Sequence, residues 1–177
     1  MKTLNRLLLL LFGITFLAGC NEKKGIPGEE TLPGDITGRL VASSECKMGK
    51  LADELMNTPD TLSCIEFTYF SAEKKLDIRH INTGFNCCPG ELSASISVSG
   101  DTIIIEESEE EAMCNCNCLF DLDLEINGVE IRSYWLKFVE PYAVDETSLV
   151  FEIDLTEETS GDHCVIRRLY PWGVSSW

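Results

Sequence analysis

The chain has 177 residues, with 30 Asp and Glu against 14 Lys and Arg, for a formal net charge of −16. So acidic a chain repels nucleic-acid phosphates, which sets nucleic-acid binding aside. Its length allows one ordinary domain with a real core, and its nine cysteines raise the question of cross-links.

The first segment is a leader. Lys2 and Arg6 precede the apolar run Leu7 to Leu17, which is too short for a membrane span of roughly 20 residues. The exit Leu17-Ala18-Gly19-Cys20 resembles the lipobox of bacterial lipoproteins. That resemblance covers about the first 20 residues and implies a signal peptide over 1–19, cut before Cys20. Cys20 would then carry diacylglycerol and palmitate-type acyl chains, two or three of which anchor stably. The implied partner is a membrane, reached through the N-terminal lipid, and the implied location is the bacterial cell envelope. Asn21 is not the aspartate that resembles an inner-membrane retention signal, which points to the outer membrane. Removing 1–19 takes away Lys2 and Arg6 but no acid, so the remaining chain is still more acidic.

Residues 20–34 are polar, rich in Gly and Pro, and without apolar period. They read as a flexible tether. From residue 35 to 177 the pattern is that of one all-β domain. A first strand is expected over Asp35–Ala42, although Gly38 weakens it. Met48, Leu51, Leu55 and Met56 fall at helical spacing, which predicts one short helix over Cys46–Met56, ended before Pro59. Leu62–Phe70 alternates Ile65, Phe67 and Tyr69 against Cys64, Glu66, Thr68 and Phe70. Lys75–Asn82 carries Leu76, Ile78 and His80 in register, and Gly84–Gly90 reads as a loop.

Glu91–Ser99 has the cleanest alternation. Ser99-Gly100-Asp101 then turns into Thr102–Glu106, and the glutamates from Glu106 to Glu111 bound that hairpin. Cys114–Asn127 reads as a long strand with Cys114, Cys116, Cys118, Phe120, Leu122, Leu124 and Ile126 on one buried face. Asn127-Gly128 turns into Ile131–Val139. Leu149–Leu155 follows, and Gly161-Asp162 turns into a last strand over His163–Tyr170. About nine short strands with regular turns predict a single antiparallel β-sandwich.

Cys20 aside, eight cysteines remain: Cys46, Cys64, Cys87, Cys88, Cys114, Cys116, Cys118 and Cys164. An even count in an exported chain favours disulfides over metal ligation. Cysteines two apart on a strand, and the adjacent Cys87 and Cys88, are poorly placed to bridge each other. The economical arrangement joins Cys87-Cys88 to the Cys114/Cys116/Cys118 strand by two bridges. The third strand cysteine would take Cys64 or Cys164, and Cys46 the one left over. A copper or zinc site using Cys-x-Cys-x-Cys with His80 or His163 is the sharper alternative, but a straight strand face sets ligands in a line rather than a tetrahedron. No Cys-x-x-Cys supports a thiol oxidoreductase.

Asp121, Asp123 and Glu125 lack the bent, glycine-bearing loop that calcium needs and read as a solvated strand face. His80 reads as a satisfied core residue. Nothing matches a nucleophile elbow, phosphate loop, zinc-protease helix or dinucleotide fingerprint. The aromatic tail Tyr170–Trp177 would cap the open end of the sandwich or contact a glycan or protein. The sequence therefore leads to a cell-envelope lipoprotein with a non-catalytic binding or structural domain and no cofactor. A periplasmic metal-binding or thiol-redox protein is the alternative.

Overall fold

Nine strands carry the chain: β1 (Thr37–Ser43), β2 (Leu62–Phe70), β3 (Lys75–Asn86), β4 (Leu92–Ser99), β5 (Thr102–Glu109), β6 (Asn117–Asn127), β7 (Ser133–Val139), β8 (Val150–Asp154) and β9 (Ser160–Ile166). The structure, a computed structural model, describes residues 35–47, 58–143 and 146–169. The leader, the tether and the aromatic tail lie outside the described residues. So does nearly all of the helix expected over Cys46–Met56. No helix occurs among the described residues.

The strands form a five-stranded sheet, β1-β6-β3-β2-β9, and a four-stranded sheet, β4-β5-β7-β8. Between them lies one apolar core, so the all-β sandwich expected from the alternation is what the chain forms. All strand pairs are antiparallel except β5 and β7, which run parallel. The exception follows from β6. It leaves the four-stranded sheet to lie between β1 and β3, and β7 returns beside β5 in the same direction.

Period-two patterning builds the core directly. Ile65, Phe67 and Tyr69 of β2, Leu76 and Ile78 of β3, and Leu122, Leu124 and Ile126 of β6 are buried against Ile103 and Ile105 of β5 and Tyr134, Leu136 and Phe138 of β7. Each large aliphatic side chain so buried stabilises the fold by about 1.5–3 kcal/mol before entropy is counted. Gly38 is required by packing. A Cβ there would stand 2.6 Å from Ile96 Cγ1 of β4 and 2.9 Å from the Glu125 carbonyl oxygen. The glycine that weakens β1 as a strand is what lets β1 close the sandwich against β4.

Four expectations are corrected. β6 begins at Asn117, so Cys114 and Cys116 lie in the preceding loop, half-buried and exposed, and only Cys118 enters the core. β3 runs on through Gly84, Phe85 and Asn86, which pair with Leu119, Cys118 and Asn117 of β6. The continuation rides over a bulge at Asn82, whose φ of 60° is a conformation that asparagine tolerates better than most residues. β5 extends to Glu109, through the glutamates expected to bound it. β9 starts at Ser160, so Gly161-Asp162 lies inside the strand, opposite Phe67 and Glu66.

Candidate functional site

The eight cysteines pair off as Cys46–Cys118, Cys64–Cys164, Cys87–Cys116 and Cys88–Cys114. The two bridges from Cys87-Cys88 to the cysteine-rich segment are as expected. The other two are not: Cys118 takes Cys46, and Cys64 and Cys164 join each other. The reason is register. Cys64 of β2 sits directly opposite Cys164 of β9, while Cys118 faces inward next to the chain leaving β1. Asn86 organises the doublet. Its side-chain oxygen accepts from the backbone N–H groups of Cys88 and Cys114, each at 3.0 Å, and its amide nitrogen donates to the Cys114 carbonyl.

The acidic face of β6 is a lattice of ion pairs. Asp121 pairs with Lys47 and Arg79, Asp123 with Arg79, and Glu125 with Arg39 and Lys75. A depression of about 290 Å³ lies on this face, bordered by Glu66, Asp77, Arg79, Asp123 and Glu125. Among the described residues no His, Cys, Asp and Glu set is arranged to hold a metal ion.

The chemistry-bearing side chains gather instead inside the sandwich. His80 of β3 is 0% exposed, and its Nδ1 lies 2.7 Å from Glu107 Oε1 of β5. Its Nε2 lies 2.9 Å from Ser63 Oγ of β2 and 3.8 Å from Glu140 Oε1, just past β7. Thr83 Oγ1 donates to the other Glu107 oxygen at 2.8 Å. Arg167, following β9, pairs with Glu140 Oε2, donates to Ser63 Oγ at 3.3 Å, and donates to the Thr147 carbonyl at 2.8 Å. The imidazole edge rests on Phe138.

Sequence reasoning found His80 and missed its five partners. Yet His80 and four of them stand one step along an apolar alternation: Ser63 before Ile65, His80 after Ile78, Glu107 after Ile105, Glu140 after Phe138 and Arg167 after Val165; Thr83, past the Asn82 bulge, does not. On the buried faces of β2, β5, β7 and β9, and midway along β3, the apolar series gives way to polar residues, and these meet. The other histidine, His163, stacks on Phe151 at 4.4 Å between ring centroids.

Two carboxylates and one guanidinium, the latter paired with Glu140, thus share an interior where an uncompensated charge costs several kcal/mol. Burial pushes His80 down, but the adjacent Glu107 and Glu140 carboxylates outweigh it, and its proton affinity ends above the ordinary histidine value. Burial raises Glu140 as well, with the Glu107 charge adding and His80 and Arg167 opposing. Ser63, His80 and Glu107 are linked in the order of a nucleophile, a base and an orienting acid. A nucleophile must also reach its substrate, and Ser63, His80 and Glu107 are 0–2% exposed. In this structure the three side chains are closed off from solvent.

No family model matches this chain, and no curated protein or solved structure matches it significantly.

Proposed function

We propose that the chain is an exported bacterial lipoprotein, anchored to the outer membrane through lipid on Cys20, whose β-sandwich is a non-catalytic binding or structural module. One observation carries the reading. Eight of the nine cysteines pair within the sandwich, and the ninth is Cys20, the residue that the lipobox-like leader assigns to acylation. Four disulfides in a chain of this length fit an oxidising compartment. They also consume the thiolates that a metal or thiol-redox role would use. The burial of Ser63, His80 and Glu107 supports a non-catalytic interior.

A contact surface is available outside. Trp135, Val139 and Val150 are exposed on the outer face of the four-stranded sheet, with β5 between them and the serines of β4. Such a face suits a protein or glycan ligand.

Metabolic labelling with an alkyne fatty acid, followed by envelope fractionation, tests the anchor. The chain should incorporate label and sediment with outer membranes, and Cys20→Ser should abolish both. Label-free protein, or labelling that persists in Cys20→Ser, would refute the reading.

A further inference from the structure

The interior cluster has an unbalanced charge count, and the imbalance has a physical consequence. The groups facing His80 are Ser63 from β2, Thr83 from β3, Glu107 from β5, Phe138 and Glu140 from β7 and its end, and Arg167 from beyond β9. Of these only Arg167 carries a fixed positive charge, against Glu107 and Glu140. With His80 neutral and both acids ionised, these described groups together carry one excess negative charge. One more proton brings it to zero.

The geometry assigns that proton to the imidazole. Both imidazole nitrogens already face oxygens, at 2.7 Å and 2.9 Å, so an imidazolium can donate on both sides. Glu140 Oε1 is buried and accepts no hydrogen bond, and it stands 3.8 Å from His80 Nε2. The cluster is also mechanically connected. Arg167 ties Glu140 to the Thr147 carbonyl, while its backbone N–H donates to the Thr61 carbonyl at 2.8 Å. Just beyond, the Glu146 carboxylate accepts the backbone N–H groups of Arg168 and Leu169. The segment after β7 and the end of β9 are therefore latched to each other through this cluster.

We propose that the cluster of His80, Glu107, Glu140 and Arg167 is a proton-operated latch. It binds one exchangeable proton when the end of the sandwich is closed, and loss of that proton loosens the Glu146–Leu149 segment and the end of β9. Deprotonation leaves a neutral ring between the Glu107 and Glu140 carboxylates, with Arg167 paired to Glu140. Water entering from the sandwich end relieves this, at the expense of the Arg167 contacts.

The chain has only two histidines, so the ring nitrogens of His80 and His163 can be read separately by long-range proton–nitrogen NMR on the whole chain in detergent. His80 should remain an imidazolium past the pH at which a free imidazole deprotonates. It should then convert to the Nδ1–H tautomer facing Glu107. Across the same transition, amide protection of Arg167 and Leu169, corrected for intrinsic exchange, should fall at least tenfold, while protection in β6 stays constant. Glu140→Gln removes the excess charge, so it should lower the His80 transition and flatten the protection profile. A His80 ring that is neutral throughout would overturn the proposal, as would a titration with unchanged protection, or a Glu140→Gln chain that behaves as wild type. If Glu140→Gln does not fold, the wild-type titration and exchange profile decide the matter by themselves.

Discussion

Removing Cys64–Cys164 and removing one member of the Cys87/Cys88 doublet should have very different effects, although each deletes a single bond. Cys64 and Cys164 are separated by 100 residues, and a loop that long is worth about 4.7 kcal/mol of unfolded-state entropy. The Cys46–Cys118 bridge already shortens the path between them, which trims the figure to about 4 kcal/mol. The doublet bonds close loops of 29 and 26 residues, worth about 3.5 kcal/mol if only one were present. They are nested almost on top of one another, however. With Cys87–Cys116 intact, Cys88–Cys114 closes only a ring of a few residues, and its loss should cost only about 2 kcal/mol. Removing both should restore the full cost. Urea unfolding of Cys64→Ala/Cys164→Ala, Cys88→Ala/Cys114→Ala and the quadruple doublet variant measures all three. Against a total stability of about 5–15 kcal/mol, the first and third should be crippling and the second mild. Equal losses in the first two variants, or additive losses within the doublet, would refute the loop argument.

Further consequences concern single residues and pH. Asn82→Ala should destabilise by about 2–4 kcal/mol, since Asn82 occupies a positive φ, donates to the Pro59 and Leu62 carbonyls and accepts from Lys47. An unchanged urea midpoint would remove its role as the anchor of the chain before β2. Gly38→Ala should cost about 1–3 kcal/mol because its Cβ meets Ile96 and a backbone carbonyl. Gly100→Ala, open in space but at a φ of 61°, should cost only about 1 kcal/mol. Thermal melts compare the two. Because His80 and Glu140 both bind protons more tightly folded than unfolded, the stability they supply is complete at low pH. The Glu140 share begins to fade above about pH 4.5 and the His80 share above about 6.5, each lost as pH rises through its raised folded value. Each tenfold gain in proton affinity is worth about 1.4 kcal/mol. Urea unfolding between pH 5 and 9 should show stability falling with pH, and a flat or rising curve would contradict the charge count. Tyr142, half-buried and donating to Glu109, should ionise only near pH 12 by its ultraviolet absorbance.

The sandwich was legible because its strands have one buried and one wet face, so period-two alternation records the fold directly. β2, β4 and the apolar half of β6 stand close to where that alternation puts them. It misled at the cysteines. Cys114 and Cys116 continue the apolar beat of β6, but their position is set by bonds to Cys88 and Cys87, outside the core. Gly161 and Asp162 look like a turn locally, yet β9 needs a glycine there because a Cβ would stand 2.9 Å from the Phe67 ring. The parallel pairing of β5 with β7 is a matter of which sheet β6 joins, and no local pattern encodes that. The buried cluster was half legible. His80 was read as a satisfied core residue. Glu107, Glu140 and Arg167 sit on the same beat as Ile105, Phe138 and Val165, but a charged side chain is rarely buried without partners that a local pattern does not reveal. Only their convergence from several strands makes burial affordable.

The measurement that bears most directly on this account is the intact mass of the chain isolated from bacterial envelopes, taken with and without thiol alkylation under native conditions. The account predicts a chain beginning at Cys20, heavier by two or three acyl chains, lighter by the eight hydrogens of four disulfides, and inert to alkylation. A chain that retains its leader, lacks acyl mass or takes up alkylating agent would contradict it.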